Sequence, residues 1–214
     1  MTALELASLD ATLPAAPSAR AAERGRLVRA LASLIAQLQA WERDATDHAR
    51  EVAALSVDLA LRVGVVSDEI RQIRLGALLH DVGKLAVPDE ILAKPGPLDV
   101  GEWELMRRHP GAGERYLEPV LERSEAVTHG CVETVLAIVR SHHERWDGRG
   151  YPDRLAGEEI PLGARIVAVA DAFQAMTERR PYRSPLSRTA ALAELSREAG
   201  RQFDPSLVSL LTAA

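Results

Sequence analysis

Residues 67–84 read SDEIRQIRLGALLHDVGK. Ser67 followed by Asp68 and Glu69 carries a helix-start signature, because a serine oxygen caps free N–H groups and acidic residues suit the first turn. Ile70, Ile73, Leu75, Leu78 and Leu79 then recur at helical spacing and predict a buried stripe. The stripe runs straight into His80-Asp81, with Gly83 and Lys84 just beyond. Ionisable groups at the end of an apolar helix must be paired or metal-bound, because an isolated buried charge is strongly unfavourable.

Two further segments make the same demand. Residues 132–143 (VETVLAIVRSHH) predict a helix that delivers His142 and His143 at its C-terminal end, toward a Gly-, Pro- and Asp-rich loop over 144–161. Pro161 opens an apolar helix to about Met176, and within IVAVADAF (166–173) stands one carboxylate, Asp171. Such a carboxylate is either a buried salt bridge or a metal ligand. Any one of these histidines alone would be read as a surface or hydrogen-bonded core residue. Clustered with two carboxylates, they point to hard metal ions and hydrolytic chemistry.

The rest of the chain reads as all-α. Apolar spacing predicts one long or two abutting helices over 26–63, with Gly64 as a stop. Pro88 and Lys94-Pro95-Gly96-Pro97 frame a turn of helix and a loop. Asp99 begins another helix, interrupted by Pro110 and Gly111, and short helices over 187–199 and 205–212 close the chain. Residues 1–25, Ala-rich and broken by Pro14 and Pro17, are expected to form a flexible leader to a single folded unit over 26–214. Aromatics make up only 4% of the chain while Leu, Ala and Val dominate, which favours helices over a β-sandwich.

A net charge of -5 argues against a nucleic acid polymer as partner. A phosphate ester would therefore need metals and a few local cations. Cys131 is the single cysteine and can form no internal disulfide. No apolar run approaches the roughly 20 residues of a membrane span. Met1–Leu13 lacks a basic region and is interrupted by Glu5 and Asp10. A cytoplasmic location is expected.

LLHDVGKLAVPDEIL (78–92), RRHPGAGERYL (107–117), HHERWDGRGYP (142–152), IVAVADAFQAMTERRPYR (166–183) and AGRQFDP (199–205) together resemble the HD-GYP family, a branch of the HD metal-dependent phosphohydrolases. The resemblance runs from about residue 35 to the C-terminus. It implies an HD-type helical bundle whose core holds two or three divalent metal ions, with the GYP loop between helices. It also implies hydrolysis of cyclic di-GMP to linear pGpG and on to GMP. By motif register the metal ligands would be His48, His80, Asp81, His109, His142, His143 and Asp171; His129 falls outside every motif. Asp81, with two oxygens, would bridge two ions that hold a hydroxide, and Lys84 would act beside it on the scissile phosphate. Arg180 and Arg183 would grip substrate phosphates, to which an arginine fork is well suited. Mixed His/carboxylate ligation suits Fe or Mn. Gly150, Tyr151 and Pro152 would shape the loop and offer a contact surface to a partner such as a diguanylate cyclase domain; a homodimer is also compatible.

Two positions depart from the family pattern. Gln174 stands where a second Asp is usual, and Asp44, one helical turn before His48, replaces the Glu that binds a third metal. Two other functions stay open on sequence: a regulatory module that binds the dinucleotide or docks a partner with little turnover, and hydrolysis of another cyclic dinucleotide such as cyclic GMP-AMP.

Overall fold

The computed structural model describes residues 29, 33, 45–122, 129–178 and 184–213. Asp44, Arg180, Arg183 and the leader lie outside the described residues. The elements are α1 (Ala45–Val63), α2 (Ser67–Leu79), α3 (Asp89–Leu92), α4 (Val100–Met106), α5 (His109–Glu122), α6 (His129–Ser141), α7 (Leu162–Thr177), α8 (Arg188–Glu198) and α9 (Pro205–Thr212). Two 3₁₀ turns, Val82–Ala86 and Gly157–Glu159, complete them. Among the described residues there is no β-strand, as the sequence predicts, and no helix long and apolar enough to cross a membrane.

The stop after α1 is a Schellman turn. Gly64 takes φ +86°, its N–H donates to Leu61 O, and Val65 N–H donates to Ala60 O. The segment from Asp99 differs from the sequence reading. It is two helices rather than one interrupted helix: α4 opens with an Asp99/Glu102 capping box and ends before Arg107, and α5 starts at His109. Pro110 therefore sits in the first turn of α5, where no intrahelical bond needs its missing N–H. Similarly, α6 begins at His129 and ends at Ser141, so His142 and His143 occupy the turn beyond it.

Helices α1 and α2 pack together, α2 packs on α6, and α7 packs on α1; α8 and α9 cover the far side of α7. Two apolar clusters result. One joins Leu59, Ile73, Ile138, Ile166 and Leu207; the other joins Leu79, Val82, Leu117, Val135 and Val139. Helices α2 and α6 feed both, so their C-terminal ends emerge at the seam between the clusters. Gly76 and Gly163 admit Ile138 from opposite helices, since a Cβ at either would stand 2.7 Å from its side chain.

Gly83 is the tightest point of the fold. A Cβ there would lie 1.8 Å from the His109 carbonyl oxygen and 2.4 Å from Gly113 N, both backbone atoms that cannot turn aside. This contact presses the 3₁₀ turn after Asp81 onto α5. Gly83→Ala is expected to destabilise the protein by about 3 kcal/mol, the upper end of overpacking effects. Gly101→Ala, on α4 with only an ordinary 3.5 Å contact to Asp99, should stabilise by up to about 1 kcal/mol. Urea midpoints of the two variants check the contrast; a midpoint for Gly83→Ala equal to wild type would refute the close-contact account.

Candidate metal centre

Helix ends leave backbone carbonyls without intrahelical partners. In this protein three such carbonyls are taken by histidine rings. His80 Nδ1 donates to Ala77 O at 2.7 Å, His109 Nδ1 to Met106 O at 2.7 Å, and His142 Nδ1 to Val139 O at 2.8 Å. A carbonyl can only accept, so each Nδ1 carries a hydrogen, and wherever the ring is neutral its Nε2 presents a lone pair. All three rings are buried.

Those lone pairs converge. His109 Nε2 and His142 Nε2 lie 3.4 Å apart, and His109 Nε2 lies 3.4 Å from Asp81 Oδ1. His80 Nε2, 3.3 Å from Asp81 Oδ2, is buried with no hydrogen-bond partner. Two sets of donors form: Asp81, His109, His142 and His143 in one, and His48, His80 and Asp171 in the other. Asp81 joins them, turning Oδ1 to His109 and Oδ2 to His80. Lone pairs facing lone pairs and carboxylates repel one another unless a cation lies between. The C-terminal ends of α2 and α6 add the negative ends of their dipoles. This donor set fits divalent metal ions.

The electrostatics agree. Burial lowers His142 well below the ordinary imidazole range and brings His143 down to about 4, with neighbouring imidazoles adding to the effect. His109 is likewise lowered, chiefly by burial. These rings therefore stay neutral, as metal ligands must. Burial also opposes ionisation of Asp81 and Asp171, but nearby cationic groups outweigh it. Lys84 and His80 hold Asp81 well below the carboxylate range, and the His48 hydrogen bond and His80 bring Asp171 to about 2. At His80 the Asp81 and Asp171 carboxylates overcome burial and raise the pKa to about 9, so with no cation between the carboxylates this ring carries a second proton at Nε2, which a bound metal ion would displace.

A family model for the HD domain matches residues 17–207. The chain belongs to the HD domain family. Its separated motifs put it in the HD-GYP branch. It is 40% identical over 174 residues to 3'3'-cGAMP-specific phosphodiesterase 2 of Vibrio cholerae, a match covering 81% of this chain and 32% of that protein. It is 45% identical over 153 residues to the cyclic di-GMP phosphodiesterase response regulator RpfG of Xanthomonas campestris, covering 72% and 39%. The chain thus spans well under half the length of these relatives. In fold it resembles a solved HDG"Y"P protein from Bdellovibrio bacteriovorus, with a TM-score of 0.60 at 20% identity, covering 78% of this chain and 51% of that one.

Every described residue that motif register nominated for this HD-GYP site is brought to one place. His48, on α1, reaches Asp171 on α7 through Nε2 at 3.0 Å. Lys84 Nζ donates to Asp81 Oδ2 at 2.7 Å. Tyr151 stacks on His143 with ring centroids 4.9 Å apart. Gly150 lets the loop fold onto itself, since a Cβ would lie 2.4 Å from Arg145 N and 2.5 Å from Glu144 Cα.

Sequence reasoning missed three supporting features. Glu178 brings a carboxylate oxygen 3.2 Å from His48 Nδ1, one helical turn after the uncharged Gln174. Glu144, 3% exposed, accepts N–H bonds from Asp153 at 2.6 Å and Arg154 at 3.0 Å and so pins the GYP loop. The RQFDP segment clamps the same loop from outside. Gln202 O accepts from Trp146 N–H and Arg201 O accepts from Asp147 N–H, while Asp204 pairs at 2.6 Å with Arg165 of α7, which itself donates to Ile160 O at the end of the loop. A charged residue inside the motif string HHERWDG was the only available signal for Glu144, and nothing in sequence ties Glu178 to His48.

Mn²⁺ at a hundred times its dissociation constant is expected to raise the Tm of the metal-free protein by about 5–10 °C. His80→Ala should lose most of that shift in differential scanning calorimetry. A shift of equal size in the variant would remove His80 from the metal site.

Proposed function

We propose that this chain is a metal-dependent phosphodiesterase that hydrolyses cyclic di-GMP to linear pGpG and then GMP. The observation carrying this reading is the Asp81 carboxylate, one oxygen turned to each donor set, with Lys84 bonded to it in an HD-GYP chain. The unit responsible is taken as residues 26–214.

In this reading His48, His80, Asp81, His109, His142, His143 and Asp171 hold two ions, and a third depends on Asp44. Fe or Mn is favoured by the mixed imidazole and carboxylate donors. Such ions supply Lewis acidity and a water acidic enough to attack phosphorus near neutral pH. The protein's own groups do the rest. Asp81 fixes the spacing of the two donor sets. Lys84, anchored by Asp81, sets a positive charge beside the scissile phosphate. Arg180 and Arg183 orient the phosphates by their forked N–H groups. Tyr151, stacked on His143, walls the centre from the loop side and limits water.

The cyclic GMP-AMP-specific relative at 40% identity favours a second substrate, 3'3'-cyclic GMP-AMP, for the same site. The exposed Pro152 edge leaves the loop open to a partner such as a diguanylate cyclase domain or a second copy of the chain. We place the activity in the cytoplasm, in keeping with a lone, unpaired Cys131.

Protein purified under reducing conditions and loaded with Fe or Mn should convert cyclic di-GMP to pGpG and GMP, resolved by chromatography. Cyclic GMP-AMP, run in parallel, ranks the two substrates by kcat/KM. Asp81→Ala should lower kcat/KM by at least about a hundredfold, since transition-state stabilisation by metals is worth several kcal/mol. Dinucleotide binding without product, with either metal, would replace hydrolysis by a sensing role.

A further inference from the structure

Next to the metal centre lies a surface groove of about 340 Å³, lined by Arg107, Arg108 and Arg154 around Tyr151, with Glu104 at its side. Tyr151 is shared between the two places. It stacks on His143, and the Arg107 guanidinium sits 4.7 Å from its ring centroid. The groove and the histidine cluster are thus separated by one aromatic residue.

Two observations mark the groove as built for an anion. First, three arginines line it, and none forms an ion pair with a described carboxylate, in a chain whose net charge is -5. Arg140, Arg145 and Arg165, by contrast, are each bound to carboxylates. Second, Arg154 has φ +59°, the single positive φ of a non-glycine residue among the described residues. An arginine gains nothing locally from that conformation, which disfavours a Cβ by about 1 kcal/mol. It is maintained because the buried Glu144 carboxylate accepts the Arg154 N–H at 3.0 Å, as well as that of Asp153. Glycine would relieve the strain but would leave the groove one guanidinium short.

A cyclic dinucleotide carries two phosphodiesters. When one is at the metal ions, the other lies where the inward-facing imidazoles and carboxylates offer it no positive charge, and the groove supplies guanidiniums in addition to Arg180 and Arg183. We propose that the groove binds this second, non-scissile phosphodiester through Arg107 and Arg154, making them substrate-positioning residues. The proposal rests on the phosphodiesterase reading above. Guanidinium forks match two phosphate oxygens at once, and the Tyr151 ring shields one side of the site from water.

The test uses Arg154→Gly, which suits the backbone conformation and should keep or raise the Tm, together with Arg107→Ala and Arg154→Lys. Each is compared on cyclic di-GMP and on bis(p-nitrophenyl) phosphate, which has a single phosphodiester. With cyclic di-GMP, Arg154→Gly and Arg107→Ala should raise KM about tenfold or more while kcat changes little. The loss with bis(p-nitrophenyl) phosphate should be at least tenfold smaller. Arg154→Lys should recover part of the KM, since it restores charge without the fork. Equal losses on both substrates, or none on cyclic di-GMP, would overturn the proposal. If wild type turns over bis(p-nitrophenyl) phosphate but no cyclic dinucleotide, the phosphodiesterase assignment fails by itself. The groove is then judged by equilibrium binding of cyclic di-GMP: weaker binding by Arg154→Gly sustains it, and equal or absent binding overturns it.

Discussion

Lone pairs aimed at one another inside an apolar seam are the constraint around which this protein is organised. Three imidazoles spend their Nδ1 hydrogens on helix-end carbonyls and turn their Nε2 atoms inward. Asp81 and Asp171 add negative charge to the same small volume. Protein groups alone relieve this only in part, through Lys84 and the His80 ring. A metal cation between the donors would relieve it, and the backbone that aims them contributes to that fit as much as the side chains do. The helices can bring the donors this close because glycine at 83 lets one turn of chain lie directly on α5.

A second layer of structure serves the loop over the site. Glu144 holds the loop from within through two backbone N–H groups, while Gln202, Arg201 and the Arg165–Asp204 pair hold it from without. The turn between α8 and α9 thus does more than connect them: it holds the loop at Trp146 and Asp147, and further along the loop Tyr151 separates the histidine cluster from the arginine groove. The relatives at 40–45% identity are named for cyclic di-GMP or for cyclic GMP-AMP.

Much of this was legible in the chain. The stripe from Ile70 to Leu79 predicted α2 and the position of the His-Asp pair at its end, and the apolar run around Asp171 predicted α7. Both rest on local periodicity. The boundary between α4 and α5 was misread because a proline inside an apolar pattern can mark either a break or a first turn. Only the capping box at Asp99 and the backbone around His109 distinguish the two.

The sequence by itself determined which residues could ligate metal, because histidine and carboxylate chemistry is intrinsic to the side chain and motif order is written along the chain. Tertiary structure decided how they are used. It assigned the hydrogen of three imidazoles, gave each Asp81 oxygen its own donor set, and brought Glu178 to His48. It also held Arg154 in a strained conformation beside Arg107. Each of these depends on distances between helices far apart in sequence, set by packing around Ile138 and Gly83 rather than by any local preference.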